Sequence, residues 1–179
     1  QLQDHEEALK WFRKSAEQGH TIAQYKMGFM SANGMGVSQN HKEAVKWYLK
    51  AAEQGYAYAQ FNLGLMYYNG RGVPQDDKEA VKWFHKAAEQ GNATAQNRLG
   101  LMYYQGQGVP QDYKEAVTWY RMAAEQGNAK AQHNMGLMYY QGQGVIKDYV
   151  QTHAWYNVAS ANGEDEHASK DRDLVAKQM

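Results

Sequence analysis

Seven histidines are the side chains in this 179-residue chain best suited to acid–base or metal chemistry: His5, His20, His41, His85, His133, His153 and His167. A helical zinc site needs two histidines one turn apart with a glutamate between them, and no pair here has that or another ligand spacing. Each reads as a lone solvated histidine. There is no cysteine, which excludes disulfide staples and thiolate zinc sites and leaves the redox setting open. Gly106-Gln107-Gly108 has the look of a phosphate loop, but no strand precedes it and no lysine follows, so a dinucleotide or phosphate site is not expected. The Glu-Gln-Gly tripeptides read as helix ends, their carboxylates capping or lying on the surface. No serine–histidine–aspartate arrangement is supported. The expectation is therefore no catalytic residue, no metal and no cofactor.

Charge and hydropathy narrow the partners. Lys+Arg and Asp+Glu are 19 each, a formal net charge of zero. Nucleic-acid binding needs a basic surface that displaces counterions, so a nucleic-acid partner is not expected. No apolar run approaches the ~20 residues that span a bilayer, so membrane insertion is not expected either. No secretion signal is visible. The chain opens Gln1-Leu2-Gln3-Asp4 in mid-pattern, which points to a fragment whose start lies upstream.

What positions these residues is a repeat. Trp11, Trp47, Trp83, Trp119 and Trp155 are 36 apart. So are Gly19, Gly55, Gly91, Gly127 and Gly163, and three further glycine series through Gly28, Gly34 and Gly36 absorb the rest of the 17 glycines. Residues 56–91 and 92–127 match at 25 of 36 positions. In the unit 92–127, Ala95, Leu99, Met102 and Tyr103 form one apolar helical stripe. Gly106 suits a left-handed C-terminal cap. Asp112 and Glu115 then form a capping box for a second helix through Ala116, Trp119, Tyr120 and Ala123. The same pair recurs as Asp4/Glu7, Asn40/Glu43, Asp76/Glu79 and Asp148/Gln151. Each unit is thus a first helix, A, and a second, B. The chain reads as one all-α solenoid domain over 1–179: an unpaired B helix at 4–18, A–B pairs at 20–54, 56–90, 92–126 and 128–162, and a C-terminal cap helix within 164–179, with Ala168, Val175 and Met179 on one side. Gly100 and its counterparts lie inside helix A, where glycine costs roughly 0.5–1 kcal/mol against alanine, so a close backbone approach is expected there. The periodic tryptophans read as core, worth roughly 3–5 kcal/mol each on truncation.

The stretch Ala95, Leu99-Gly100, Met102-Tyr103, Gly106, Gly108-Val109, Asp112, Ala116, Trp119-Tyr120 and Ala123-Ala124-Glu125-Gln126-Gly127, repeated over residues 4–163, resembles the Sel-one-like repeat family, a relative of tetratricopeptide repeats. The resemblance implies a right-handed superhelix of antiparallel helix pairs with A helices on the concave side, and an adaptor or scaffold role. The family is abundant in bacteria and often exported or envelope-associated, which implies periplasm or secretion. Its cysteine-rich branch resembles penicillin-binding, β-lactamase-like proteins; that branch's cysteine pairs are absent here.

By analogy with tetratricopeptide helices, the A-helix face opposite the core would line a groove for a protein or peptide partner. The positions are Ile22, Tyr25 and Phe29; Tyr58, Phe61 and Tyr68; Thr94, Asn97 and Tyr104; and Lys130, His133 and Tyr140. The series Ile22/Tyr58/Thr94/Lys130 and Tyr25/Phe61/Asn97/His133 vary freely, apolar and aromatic first and polar later. Aromatics with a polar edge are typical interface anchors, so an extended or helical segment is expected with its apolar part toward Tyr25, Tyr58 and Phe61. Tyr68, Tyr104 and Tyr140 recur, a pattern of packing as much as of contact. Tyr58 and Phe61 are left between binding and packing on the neighbouring unit. Leu65, Leu101 and Leu137 recur and read as core or groove. Two other readings stand beside the scaffold: an enzyme or regulator of the cell-wall type, and a self-assembling stack in which Leu9, Trp11 and Phe12 drive dimeric or end-to-end association through the N-terminal edge.

Overall fold

The computed structural model describes residues 2–163 and 166–176, with side chains described at 7, 9–163 and 170–176. Among the described residues it is all helical: α1 (Leu2–Glu17), α2 (Thr21–Asn33), α3 (His41–Glu53), α4 (Ala57–Asn69), α5 (Asp77–Glu89), α6 (Ala93–Gln105), α7 (Tyr113–Glu125), α8 (Ala129–Gln141), α9 (Tyr149–Asn162) and α10 (Glu166–Ala176). The chain forms two compact units, residues 1–90 and 91–179. Within each, every helix packs on the next in sequence: α1 through α5 in the first, α6 through α10 in the second. This is the serial packing of a repeat solenoid, in which stability comes from nearest-neighbour interfaces. α2, α4, α6 and α8 are A helices; α1, α3, α5, α7 and α9 are B helices.

The turns between A and B are fixed at both ends. Gly34, Gly70, Gly106 and Gly142 close the A helices at φ of 64 to 71°, a left-handed cap that L side chains resist. Each B helix after the first starts on a side-chain cap. Asn40 accepts from the Glu43 amide at 3.0 Å, Asp76 from Glu79 at 3.0 Å, Asp112 from Glu115 at 3.1 Å and Asp148 from Gln151 at 3.0 Å. The other arm of the expected capping box has a different acceptor. The amides of Asn40, Asp76, Asp112 and Asp148 donate to backbone carbonyls of the preceding A helix, at Ser31, Tyr67, Tyr103 and Tyr139 (2.8 to 3.1 Å). A carbonyl held by the turn itself outcompetes a mobile glutamate side chain, and the bond ties B to A. Asp4 is no cap, because α1 already runs from Leu2.

The glycine inside each A helix meets a ring and not a backbone. A Cβ on Gly28 would lie 2.6 Å from Tyr48, on Gly64 2.7 Å from Phe84, on Gly100 2.7 Å from Tyr120 and on Gly136 2.4 Å from Tyr156. These rings are each 2% exposed or less. This corrects the reading of the tryptophans. Trp47 and Trp119 are buried, but Trp83 and Trp155 are half-buried and Trp11 is 64% exposed. The most sequestered aromatic is the residue after the tryptophan, turned toward the glycine; the tryptophan is in the core at Trp47 and Trp119 but less enclosed at Trp83 and Trp155, and Lys50 and Lys86 stack on Trp47 and Trp83 at 4.6 and 4.4 Å. Small or flexible side chains share the core with the ring: Ala44, Ala51, Ala59, Leu63 and Met66 with Tyr48, and Ala116, Ala123, Ala131, Met135 and Met138 with Tyr120.

A buried amide ladder crosses these interfaces. Gln24, Gln60, Gln96 and Gln132 are at most 4% exposed. Gln24 donates to Ala16 O (3.1 Å), Gln60 to Ala52 O (3.1 Å) and Gln132 to Ala124 O (3.0 Å). Their side-chain oxygens accept from the end of the following B helix: Gln54 to Gln24 at 2.6 Å, Gln90 to Gln60 at 2.7 Å, Gln126 to Gln96 at 2.7 Å and Asn162 to Gln132 at 3.1 Å. The amides of Gln24, Gln60 and Gln132 thus each satisfy a helix-end carbonyl and their own polar atoms, as burial requires. In α10, Val175 is buried; the side chains of Ala168 and Met179 lie outside the described residues.

Two predictions follow from the ring in the notch. Gly100→Ala should lower stability by about 1–3 kcal/mol despite alanine's better helix propensity, because Tyr120 has no room to yield; chemical denaturation checks this, and an unchanged midpoint would contradict it. Burial also raises the phenols of Tyr48, Tyr120 and Tyr156 above their ordinary value of 10.0. The neutral form is the one the fold keeps, so stability is intact below pH 10 and falls as pH rises from there through the folded values. Tyr120→Phe, which copies Phe84, should leave neutral stability nearly unchanged and move the alkaline unfolding midpoint upward in a circular-dichroism titration.

Candidate partner-binding face

The A helices bury one side on their B partners and present the other. In the first unit Ile22 and Tyr58 are 59% and 57% exposed and Phe29 is 42% exposed, while Tyr25, Phe61 and Tyr68 are half-buried. Tyr25 is the hub of an aromatic cluster. Its ring centre lies 5.1 Å from Tyr56, 6.0 Å from Tyr48, 6.4 Å from Tyr58 and 6.5 Å from Phe29. Tyr56 and Tyr58 are 5.6 Å apart. Burial raises the Tyr25 phenol above its ordinary value, and a hydrogen bond from Asn62 acts in the other direction. Tyr25 and Phe29 also line an apolar groove of about 580 Å³ with Phe12, Lys26, Met30 and Met35. Phe29 further borders a smaller polar pocket of about 200 Å³ with Asn33, His41, Asn62, Asn69 and Arg71.

Phe61 has a different role from Tyr58. Its ring sits 5.7 Å from Phe84, the buried ring of its own repeat. Leu65, Leu101 and Leu137 are half-buried. Tyr56 was not singled out by the repeat, yet it joins the cluster. The available signal was its position: it stands at the start of α4, where α6 and α8 have the capping asparagines Asn92 and Asn128, and its side chain makes no cap bond.

The second unit presents a polar version of the same face. Thr94 and Lys130 are exposed, and Asn97 and His133 are half-buried. Asn134 donates to Asn97 at 3.1 Å. His133 lies 3.1 Å from the Asp171 carboxylate of α10 and stands edge-on to Tyr156, with ring centres 5.1 Å apart. The C-terminal helix therefore holds the last polar position of the strip, a contact outside the period. Tyr104 donates to Gln141 at 3.3 Å and packs on Tyr113; Tyr140 packs on Tyr149, with Lys147 over both rings. At the N-terminal edge, Leu9 and Phe12 are half-buried against Ala16, Ala23, Met27 and Trp47, while Trp11 is exposed.

Among the described residues no group of three or more histidines, cysteines or carboxylates could hold a metal ion, and no helix is long and apolar enough to cross a membrane. What the A faces offer is contact surface: rings with polar edges in one unit, amides, a hydroxyl and charges in the other. Truncating Phe61 and Tyr58 separates the two kinds of aromatic. Phe61→Ala should cost about 1–3 kcal/mol by uncovering Phe84, whereas Tyr58→Ala should stay within about 0.5 kcal/mol, as exposed positions do. Equal losses in denaturant titrations would contradict that division.

The Sel1 repeat model matches residues 1–20, 21–56, 57–92, 93–128 and 129–164. Among solved structures, the chain is similar to a protective antigen of uropathogenic Escherichia coli strains with an SLR fold, at 46% identity and a TM-score of 0.85 over 86% of this chain and 33% of that one. It is similar to a Sel1 repeat protein from Oxalobacter formigenes at 40% identity and a TM-score of 0.82, over 88% of this chain and 63% of that one. The chain thus spans between a third and two thirds of the length of these two relatives. Cysteine rich protein B of Helicobacter pylori shares the fold at 23% identity, with a TM-score of 0.58 over 74% of this chain and 94% of that one. No curated protein matches.

Proposed function

The chain belongs to the Sel1 repeat family, whose members are generally protein-interaction scaffolds, and from that premise we propose that its A-helix faces receive a segment of a partner protein. The observation that carries this reading is the aromatic cluster of the first unit. Ile22 and Tyr58 are large, apolar and mostly exposed, and they occupy a position that varies from repeat to repeat. Nothing in the stack requires them, since Thr94 and Lys130 fill the same place elsewhere. Exposed apolar surface is unfavourable unless something covers it. Tyrosine supplies large contact area at low entropic cost, with a hydroxyl that can bond at the rim.

Tyr25, Phe29, Tyr58 and Tyr56 would take an apolar segment, with half-buried Phe61 and Tyr68 on the same unit. The second unit, taken by itself, would receive polar groups at Thr94, Asn97, Lys130 and His133, with Tyr104 and Tyr140 on the same helices. The role is binding and not turnover: the repeat places no nucleophile–base pair on these faces, and the cell-wall enzyme reading rests on a branch whose cysteines this chain lacks.

The test uses a peptide-display library panned on the intact protein. The expected result is enrichment of segments carrying aromatic or aliphatic residues. Ile22→Lys/Tyr58→Lys copies Lys130 and should leave the melting temperature nearly unchanged while lowering binding of the enriched peptides at least tenfold. Undiminished binding by the folded double variant would overturn the assignment.

A further inference from the structure

The outer stripe of the B helices is charged in α3 and α5, half charged in α7 (Lys114, Thr118, Met122 and Glu125) and uncharged in α9. In α3 the stripe is Lys42, Lys46, Lys50 and Glu53; in α5 it is Lys78, Lys82, Lys86 and Glu89. At the same places α9 has Val150, Ala154, Val158 and Ala161. Residues 149–162 contain no Asp, Glu, Lys or Arg at all. The stripe is not buried by this chain: Val150 is 62% exposed and Val158 43%, and Ala154 and Ala161 are exposed. Ile146, in the turn before α9 where two other repeats have proline, is 91% exposed. The side that α9 buries is a different one, carrying Thr152, Tyr156 and Ala159. A helix with an apolar stripe on its outer side as well as its inner one is normally covered on both.

We infer that this stripe is a self-association surface on which α9 of a second copy packs antiparallel about a twofold axis. Three observations select a second copy. The spacing Val150, Ala154, Val158, Ala161 lies along one helical face. Reversed about a point near residue 156, it sets Val150 against Ala161 of the partner subunit and Ala154 against Val158 of the partner subunit, large on small throughout. Such alternation lets facing layers interdigitate. An isologous contact must also be compatible with its own charges, and α9 brings none to repel, whereas the same reversal in α3 or α5 would set Lys46 against Lys50 of the partner subunit or Lys82 against Lys86 of the partner subunit. The 14-residue helix is only about 21 Å long, so the contact falls below the standard interface of roughly 800 Å² per partner and the dimer is a weak, concentration-dependent one. It leaves the A faces of the second unit open, and two copies joined this way present each of these faces twice, which raises avidity for a partner with repeated segments.

Sedimentation equilibrium from low micromolar to several hundred micromolar protein tests this, with Val150→Lys/Val158→Lys as the comparison. Both substitutions restore the residues of α3 and α5 at exposed positions, so the fold should persist by circular dichroism. The native chain should move from monomer toward twice the mass while the variant remains monomeric. Because the chain has no cysteine, orientation can be read separately: an Ala154→Cys protein mixed with a Val158→Cys protein should form the mixed disulfide dimer several-fold faster than either forms its own. A monomeric native chain at the highest concentration would overturn the proposal, as would a variant that dimerises equally, which would assign association to the Trp11 edge. Equal cross-linking rates for all pairs would overturn the antiparallel arrangement.

Discussion

A flat aromatic ring pressed into a glycine notch is the contact on which this molecule depends. Tyr48, Phe84, Tyr120 and Tyr156 each sit so close to a helix A backbone that a single methyl group would collide with them. The glycine costs helix propensity, roughly 0.5–1 kcal/mol each time. The ring repays it by filling the space between two helices at crystal-like density, with dispersion contacts along a whole face. Once that distance is fixed, the rest is constrained. The A–B turn must be short, so a left-handed glycine ends A and a side-chain cap begins B. The B-helix N-cap amide must find an acceptor, and the A-helix carbonyl is in reach. The helix ends that meet across the repeat must be satisfied, and the buried glutamines do that.

Because so many positions serve the stack, few are left for anything else. The tryptophan stays out of the notch, buried in two repeats and half-buried in two others. The histidines are dispersed; His133 is engaged by Asp171 and His85 by Glu89. Freedom remains in two places: the A-helix strip, where the side chain changes from repeat to repeat, and the outer face of α9, where charge is replaced by small apolar groups. Both are departures from the period, one lateral and one at the end of the stack.

The sequence made the architecture legible because repetition amplifies weak signals. One internal glycine says little, but four at the same phase demand a neighbour. What touches the glycine was not legible, since spacing reveals crowding without revealing by which atoms; a backbone was expected and a ring was found. The tryptophans misled because size and periodicity resemble a core signature, while adjacent residues on a helix point about 100° apart and only one of the Trp-Tyr or Trp-Phe pair can enter the notch. The glutamine ladder was visible as a period but not as a network, because its bonds join residues 30 apart across an interface. Of the A-face strip, the exposure of Ile22, Tyr58, Thr94 and Lys130 could be read from helical phase. Tyr56 could not, since it joins Tyr25 only through the tertiary meeting of α2 and α4, and neither could the closing of His133 by a helix that lies outside the repeat.

The central claim is that recurring residues hold the stack and the non-recurring A-face residues hold a partner. It is tested most directly by one paired measurement across a library of single substitutions: folded abundance and binding of a selected peptide, scored on the same variants. The account predicts that changes at the glycine notches, their rings and the buried glutamines reduce abundance, and reduce binding only in proportion. It predicts that changes at Ile22, Tyr58, Thr94 and Lys130 reduce binding at full abundance. A library in which binding falls only where abundance falls, with these four positions silent in both, would contradict it.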